Sequence, residues 1–146
     1  MLGGSFPLGR WRVHRAGYGA MQLAGDGVFG PPRDRDEALR VLRSAIDAGV
    51  DHIDTAQFYG AGTVNQLIRE ALYPYPDGLA IVSKVGAGRD RPSEDRELGR
   101  GIEDNLRALG TGRLAAVNLR MMDPSQAPGA RFDAELAALV RARDEG

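Results

Sequence analysis

LAIVSKV, residues 79–85, is apolar except for Ser83 and Lys84, the composition of a strand covered on both faces rather than one with a wet side. Working outward, HIDTA (52–56) and LAAVNL (114–119) read as the strands before and after it. AGYGAMQL (16–23) reads as an earlier strand of the set, ended by the turn-rich GDGVFGPPR. Helical periodicity fills the intervals. Asp34 and Glu37 have capping-box spacing ahead of Leu39, Leu42 and Ile46, with Gly49 as the stop. Val64, Leu67, Ile68, Ala71 and Leu72 mark a second helix, which the Tyr73-Pro74 step should end. A third, from Ser93 or Glu94, aligns Leu98, Ile102, Leu106 and Leu109 and stops at Gly110; a fourth runs from Phe132 to Arg143. Strands and helices alternate at intervals of roughly 30 residues, the signature of βαβ units with parallel strands and right-handed crossovers. The expected class is α/β with a parallel sheet, preceded by a short N-terminal β-hairpin made from FPLG and RWRVHR. No linker or low-complexity tract interrupts the pattern, so residues 1–146 are expected to form a single domain.

Composition narrows the function classes. A formal charge of −1 gives no basic footprint for nucleic acid, and no stretch is long and apolar enough for a membrane span. The N-terminus, MLGGSFPLGRW, lacks a cationic start followed by an apolar segment, so a cytoplasmic location is the expectation. The absence of cysteine excludes disulfides, a thiolate nucleophile and Cys-based zinc sites. His14 and His52 lie far apart in sequence and offer little for a His-based metal site. Of the 19 basic residues, 18 are arginine and Lys84 alone is lysine.

Two constellations carry chemistry. Gly25, Gly27 and Gly30 in GDGVFG have the spacing of a dinucleotide fingerprint, with Asp47, Asp51 and Asp54 further on. Against it, Pro31 and Pro32 follow at once, and neither has the backbone N–H that a pyrophosphate needs at a helix N-terminus. The other constellation falls at strand ends: Asp54 after the second strand with Tyr59 just beyond it, Lys84 at the end of the third, and Arg120 at the end of the fourth. Active sites of parallel α/β barrels are built at that edge. Taken singly, each has an ordinary structural reading: Asp54 as a loop cap, Tyr59 as a packing residue, Lys84 and Arg120 as solvated ends, and His52 as a core histidine. Jointly, a phenol has an ordinary pKa near 10, and a neighbouring ammonium favours its phenolate. Asp54 would hold Lys84 in place by an ion pair, leaving Tyr59 as a general acid for an oxygen that gains negative charge.

DHIDTAQFYG (51–60) together with IVSKVG resembles the aldo-keto reductases, and the likeness runs from LGRWRVHRAGYGAMQL to LAAVNLR. That resemblance implies a parallel (β/α) barrel of TIM type and NADPH-dependent reduction of a small-molecule aldehyde or ketone to an alcohol. Tyr59 would be the proton donor, and Asp54 and Lys84 would tune it. Gly19, Ala20 and Met21, with Asp54, would meet the nicotinamide end of NADP. More loosely, VFGPP and VNLR are similar to the bacterial branch related to pyridoxal reductases. Where the family usually carries a histidine at the end of the fourth strand, this chain has Arg120, which can hydrogen-bond a carbonyl oxygen but cannot relay a proton. A whole barrel needs eight units and about 250 residues; the four units here match its N-terminal half, leaving two open edges that a homo-oligomer would cover. Two alternatives stand beside the reductase: a non-catalytic interaction or regulatory module on the same fold, and a Rossmann-like nucleotide-binding domain.

Overall fold

The computed structural model describes residues 3–86, 95–121 and 129–146. The N-terminal hairpin pairs β1 (Ser5–Leu8) antiparallel with β2 (Trp11–His14). Four parallel strands then lie side by side in chain order: β3 (Tyr18–Gly19), β4 (His52–Asp54), β5 (Ala80–Val85) and β6 (Ala116–Leu119). Between and after them come α1 (Arg35–Asp47), α2 (Thr63–Leu72), α3 (Asp95–Leu109) and α4 (Ala130–Glu145). The sheet is open, with β3 and β6 as its edges.

The expected first strand is the main departure. Only Tyr18 and Gly19 of 16–23 pair with a neighbour, opposite Ile53 and Asp54, and Ala20–Leu23 wind into a 3₁₀ turn. Ala20 and Leu23 are the buried pair in that turn, and a spacing of three suits 3₁₀ geometry, whereas strand alternation would separate them onto opposite faces. The first residues of the third helix, expected at Ser93 or Glu94, lie outside the described residues. Elsewhere the elements follow the expected periods. Asp34 caps α1 by accepting the Glu37 N–H at 2.8 Å, and α2 ends at Leu72, ahead of Pro74.

Alternation along the strands divides the sheet. Ile53 and Ile81 join Leu42, Leu67, Ile68 and Leu109 in the core beneath the helices, while Val85 packs with Leu98 and Ala138 under α3 and α4. His52, Asp54, Val82 and Lys84 take the other, concave face and remain partly exposed. Close packing of the helix side and openness of the concave side is the asymmetry that places polar chemistry on the latter.

Tyr75 closes the lower end of this core. Its hydroxyl donates to the Leu109 carbonyl at 2.6 Å, satisfying one of the acceptors that the last turn of α3 leaves free. Burial pushes the phenol up to about 12, with Arg69 opposing weakly. An unfolded tyrosine ionises near pH 10, so the folded state holds this proton longer than the unfolded state does. The stability from this group is present below pH 10 and is lost as pH rises to about 12. Tyr75→Phe should flatten that alkaline limb and cost about 1 kcal/mol at neutral pH through the lost hydrogen bond. Denaturant melts of both chains at several pH values between 7 and about 11 check both parts; parallel pH profiles would refute the first.

Candidate active site

Register brings the strand-end residues together. Gly19 pairs with Asp54, Asp54 with Val82, and Lys84 with Asn118. Lys84 Nζ donates to Asp54 Oδ1 at 2.6 Å and to the Thr55 carbonyl at 2.9 Å. The same ammonium lies 5.1 Å from the centroid of the Tyr59 ring, a cation–π distance. Lys84 is largely buried, with 17% of its side chain exposed, and Asp54 is about half exposed at 47%. The lysine therefore charges the inside of the site while the carboxylate faces its mouth. The expected contact between lysine and tyrosine takes the form of a charge over the ring; no hydrogen bond joins Nζ to the phenol oxygen.

Tyr59 opens a short 3₁₀ turn, Tyr59–Gly62, in which Gly60 and Ala61 both have left-handed backbone (φ 59° and 53°). This turn drives the Tyr59 ring into the core cluster beside Ala20, Leu23, Ala56 and Val64. Among the described residues, the buried polar side-chain atoms without a hydrogen bond are Nδ1 of His14 and of His52. The Tyr59 hydroxyl, which also makes none, is thus open to solvent. A buried ring with an accessible O–H is what a proton donor at the floor of a cleft requires.

The remaining residues divide. Gly19 lies in register with Asp54, and a Cβ built on it meets no atom within 4 Å; Met21 is 41% exposed, beside the glycine-rich loop and the start of α1. Ala20 lies between them but is fully buried, so only its backbone could meet a ligand. Arg120 follows β6, its N–H donating to the Val85 carbonyl at 2.9 Å. Its side chain is exposed and makes no hydrogen bond or ion pair among the described residues. His52 shares the concave face with Asp54, as alternation requires, and packs against Gly17, where any Cβ would fall 2.1 Å from Nε2. Its Nδ1 lacks a hydrogen bond, so the expectation of an ordinary core histidine holds for its packing only. His14 sits at the opposite end of the sheet, its backbone N–H shared between the two Asp51 oxygens at 2.9 and 3.0 Å.

The glycine-rich loop is not a phosphate cradle. Its Gly25 N–H is spent on the Gly30 carbonyl at 3.1 Å, and the carbonyl oxygens of Phe29 and Pro31 crowd the space beside Gly25. The α1 N-terminus that would face a pyrophosphate is capped by the Asp34 carboxylate and followed by Asp36 and Glu37. Each of these repels an anion. The loop instead packs on the tyrosine turn, with Phe29 edge-to-face on Phe58 at 6.0 Å.

Residues 15–146 match the model of the aldo/keto reductase family. The chain belongs to that family. It is 49% identical over 154 aligned residues to a pyridoxine 4-dehydrogenase of Escherichia coli (strain K12), covering 100% of this chain and 54% of that protein. Among solved structures, it superposes on a glycerol dehydrogenase of Gluconobacter oxydans with a TM-score of 0.78 at 23% identity, covering 100% of this chain and 46% of the other. An aldo-keto reductase of Klebsiella pneumoniae in complex with NADPH gives a TM-score of 0.69 at 26% identity, covering 92% of this chain and 43% of that one. The TIM-barrel fold class and the likeness to the bacterial branch of the aldo/keto reductases are thereby established. The chain spans about half the length of the curated relatives it matches, which accounts for the open sheet. No helix among the described residues is long and apolar enough to cross a membrane.

Sequence reasoning missed one group. Thr55, Asn65, Ser83 and Asn105 are polar, at most 1% exposed, and joined by hydrogen bonds behind the sheet. A signal existed. Asn65 falls on the buried face of α2 with Val64 and Ile68, and Asn105 falls at helical spacing between Leu98 and Leu109, positions where an apolar residue is the default.

Proposed function

We propose that this chain carries the reducing centre of an NADP-dependent carbonyl reductase, with Tyr59 as proton donor. The observation that supports this most directly is the Lys84 ammonium, bound to Asp54 at 2.6 Å and set 5.1 Å from the Tyr59 ring. NADPH, when bound, supplies the hydride. The residues present suit only its nicotinamide end: Gly19 and Asp54 are in register on an open face, while the acidic α1 N-terminus disfavours phosphates. Tyr59 hydrogen-bonds the substrate carbonyl oxygen and gives up its proton as negative charge develops on that oxygen. Lys84 stabilises the phenolate left behind. Asp54 and the Thr55 carbonyl hold the lysine in place, so no reorganisation is needed at the moment of transfer. Arg120 adds a fixed positive charge and directional donors at the mouth, where they steer and hold the carbonyl.

The substrate class is a small aldehyde or ketone, and the relation to a pyridoxine 4-dehydrogenase makes pyridoxal-type aldehydes the first to test. Residues 1–146 act as one domain, in the cytoplasm, without nucleic-acid or membrane partners. The unpaired edges of β3 and β6 are covered in the working form by another protein surface, most simply a second copy. Sedimentation of the purified chain should then give a species larger than the monomer; a stable, cooperatively folding monomer would count against that assembly.

The chemistry is tested by titrating NADPH against the chain by fluorescence and then following NADPH oxidation with an aldehyde panel. Binding with turnover is expected. Absence of binding would favour the non-catalytic module, for which the open sheet is the supporting observation.

A further inference from the structure

Two of the four buried polar residues behind the sheet, and a third residue bonded to them, adjoin the proposed site through the backbone. Thr55 follows Asp54, Ser83 precedes Lys84, and Gln57, to which the cluster also bonds, lies midway between Asp54 and Tyr59. The Thr55 hydroxyl donates to Asn65 Oδ1 at 2.7 Å, and Asn65 Nδ2 donates to both Gln57 Oε1 at 2.8 Å and Asn105 Oδ1 at 2.9 Å. Ser83 Oγ donates to the same Asn105 oxygen at 2.5 Å, and Asn105 Nδ2 returns to the Gly101 carbonyl at 2.8 Å. Each residue of the cluster thus has a partner, the condition under which a buried polar cluster fixes a geometry rather than weakening a core.

The location of the cluster is selective. One step toward the N-terminal ends of the same strands, the equivalent outward positions are Ile53 and Ile81, which pack as ordinary core. Polarity appears only at the level of Asp54 and Lys84. At that level the network ties β4 to α2, β5 to α3 and the helices to each other, and Gln57 extends it into the turn that carries Tyr59. Its link to the site is short: the peptide whose carbonyl accepts from Lys84 Nζ belongs to Thr55, whose hydroxyl is held by Asn65.

We propose that Asn65 and Asn105 are positioning residues that act through Thr55, Ser83 and Gln57 to fix Lys84 against Asp54 and Tyr59. This rests on the reductase reading of that trio, but its test does not need turnover. Because Lys84 is the only lysine, ¹⁵N-lysine labelling gives one side-chain ammonium signal, and its hydrogen exchange with water reports directly on how firmly Nζ is held.

Thr55→Val keeps the shape and removes the hydroxyl, and Thr55→Ser keeps the hydroxyl. In the folded full chain, Thr55→Val should speed Lys84 ammonium exchange by about five- to tenfold, while Thr55→Ser stays within about twofold of the parent. Unchanged exchange in a folded Thr55→Val chain, even with a lowered melting temperature, overturns the proposal by showing that the network serves stability alone. Should Thr55→Val not fold, Asn105→Ala on α3, remote from Nζ, is judged by the same criterion. Faster exchange together with no NADPH oxidation by the parent chain would sink the reductase reading and leave the network assignment standing.

Discussion

Tyr59→Phe should reduce carbonyl turnover by about 10²- to 10⁴-fold, the usual contribution of a positioned general acid, with folding nearly untouched. The separation follows from where the hydroxyl sits. The ring is 5% exposed and packs in the core, and phenylalanine retains that packing and the ring face presented to Lys84. The O–H makes no hydrogen bond among the described residues, so its removal leaves no partner unsatisfied, and melting should move by less than about 0.5 kcal/mol. NADPH affinity should also hold, because a proton donor acts on the substrate oxygen. Turnover and NADPH fluorescence titrations, run side by side, check the pattern. A fall of less than about tenfold would remove Tyr59 from the donor role.

Gly60→Ala should destabilise the chain by roughly 2–5 kcal/mol, through two separable costs. Gly60 has φ 59°, and an L-residue there costs roughly 1–2 kcal/mol. In addition, a Cβ would lie 2.6 Å from the Gly30 carbonyl oxygen, a backbone atom that cannot swing aside like a side-chain end. Something must shift, and the candidates are the glycine-rich loop and the tyrosine turn. Gly30→Ala is the internal control, since Gly30 also has left-handed backbone (φ 68°) but open space at its Cβ. Denaturant melts of both variants isolate the steric part. Equal losses would mean that the loop does not press on Gly60 in solution. The expected excess for Gly60→Ala also predicts weaker Phe29–Phe58 contact, visible in the aromatic proton shifts.

What the sequence made legible is what local patterns encode. LAIVSKV reads as a parallel strand because it is apolar except for Ser83 and Lys84, HIDTA because it recurs at the βαβ interval, and α1 because Leu39, Leu42 and Ile46 agree on one period behind the Asp34 cap. Sequence order then set Asp54 and Lys84 at one edge, and their register brought them within hydrogen-bond distance. Residues 20–23 differ from the expected strand because such a run suits both a strand and a 3₁₀ turn, and the burial of Ala20 with Leu23 separates the two. The Thr55–Asn65–Asn105–Ser83 cluster escaped for another reason. Its members are 10 to 40 residues apart along its bonds, and side-chain amides and hydroxyls have no period of their own. The placement of Lys84 over the ring of Tyr59 also depends on two consecutive left-handed residues, Gly60 and Ala61, and nothing in the sequence marks an alanine for that conformation.

The use of arginine everywhere but position 84 has a consequence for how the fold can be interrogated. A lysine-specific endoprotease finds one peptide bond in this chain, Lys84–Val85, and it lies at the end of β5, where both residues pair with β6. The folded sheet shields that bond, so the enzyme cuts only after β5 has left its place. Where reclosing is faster than cutting, the rate of appearance of two fragments measures the population of chains whose sheet has come apart. The same residue that charges the proposed site therefore makes the protein its own single-bond gauge of opening.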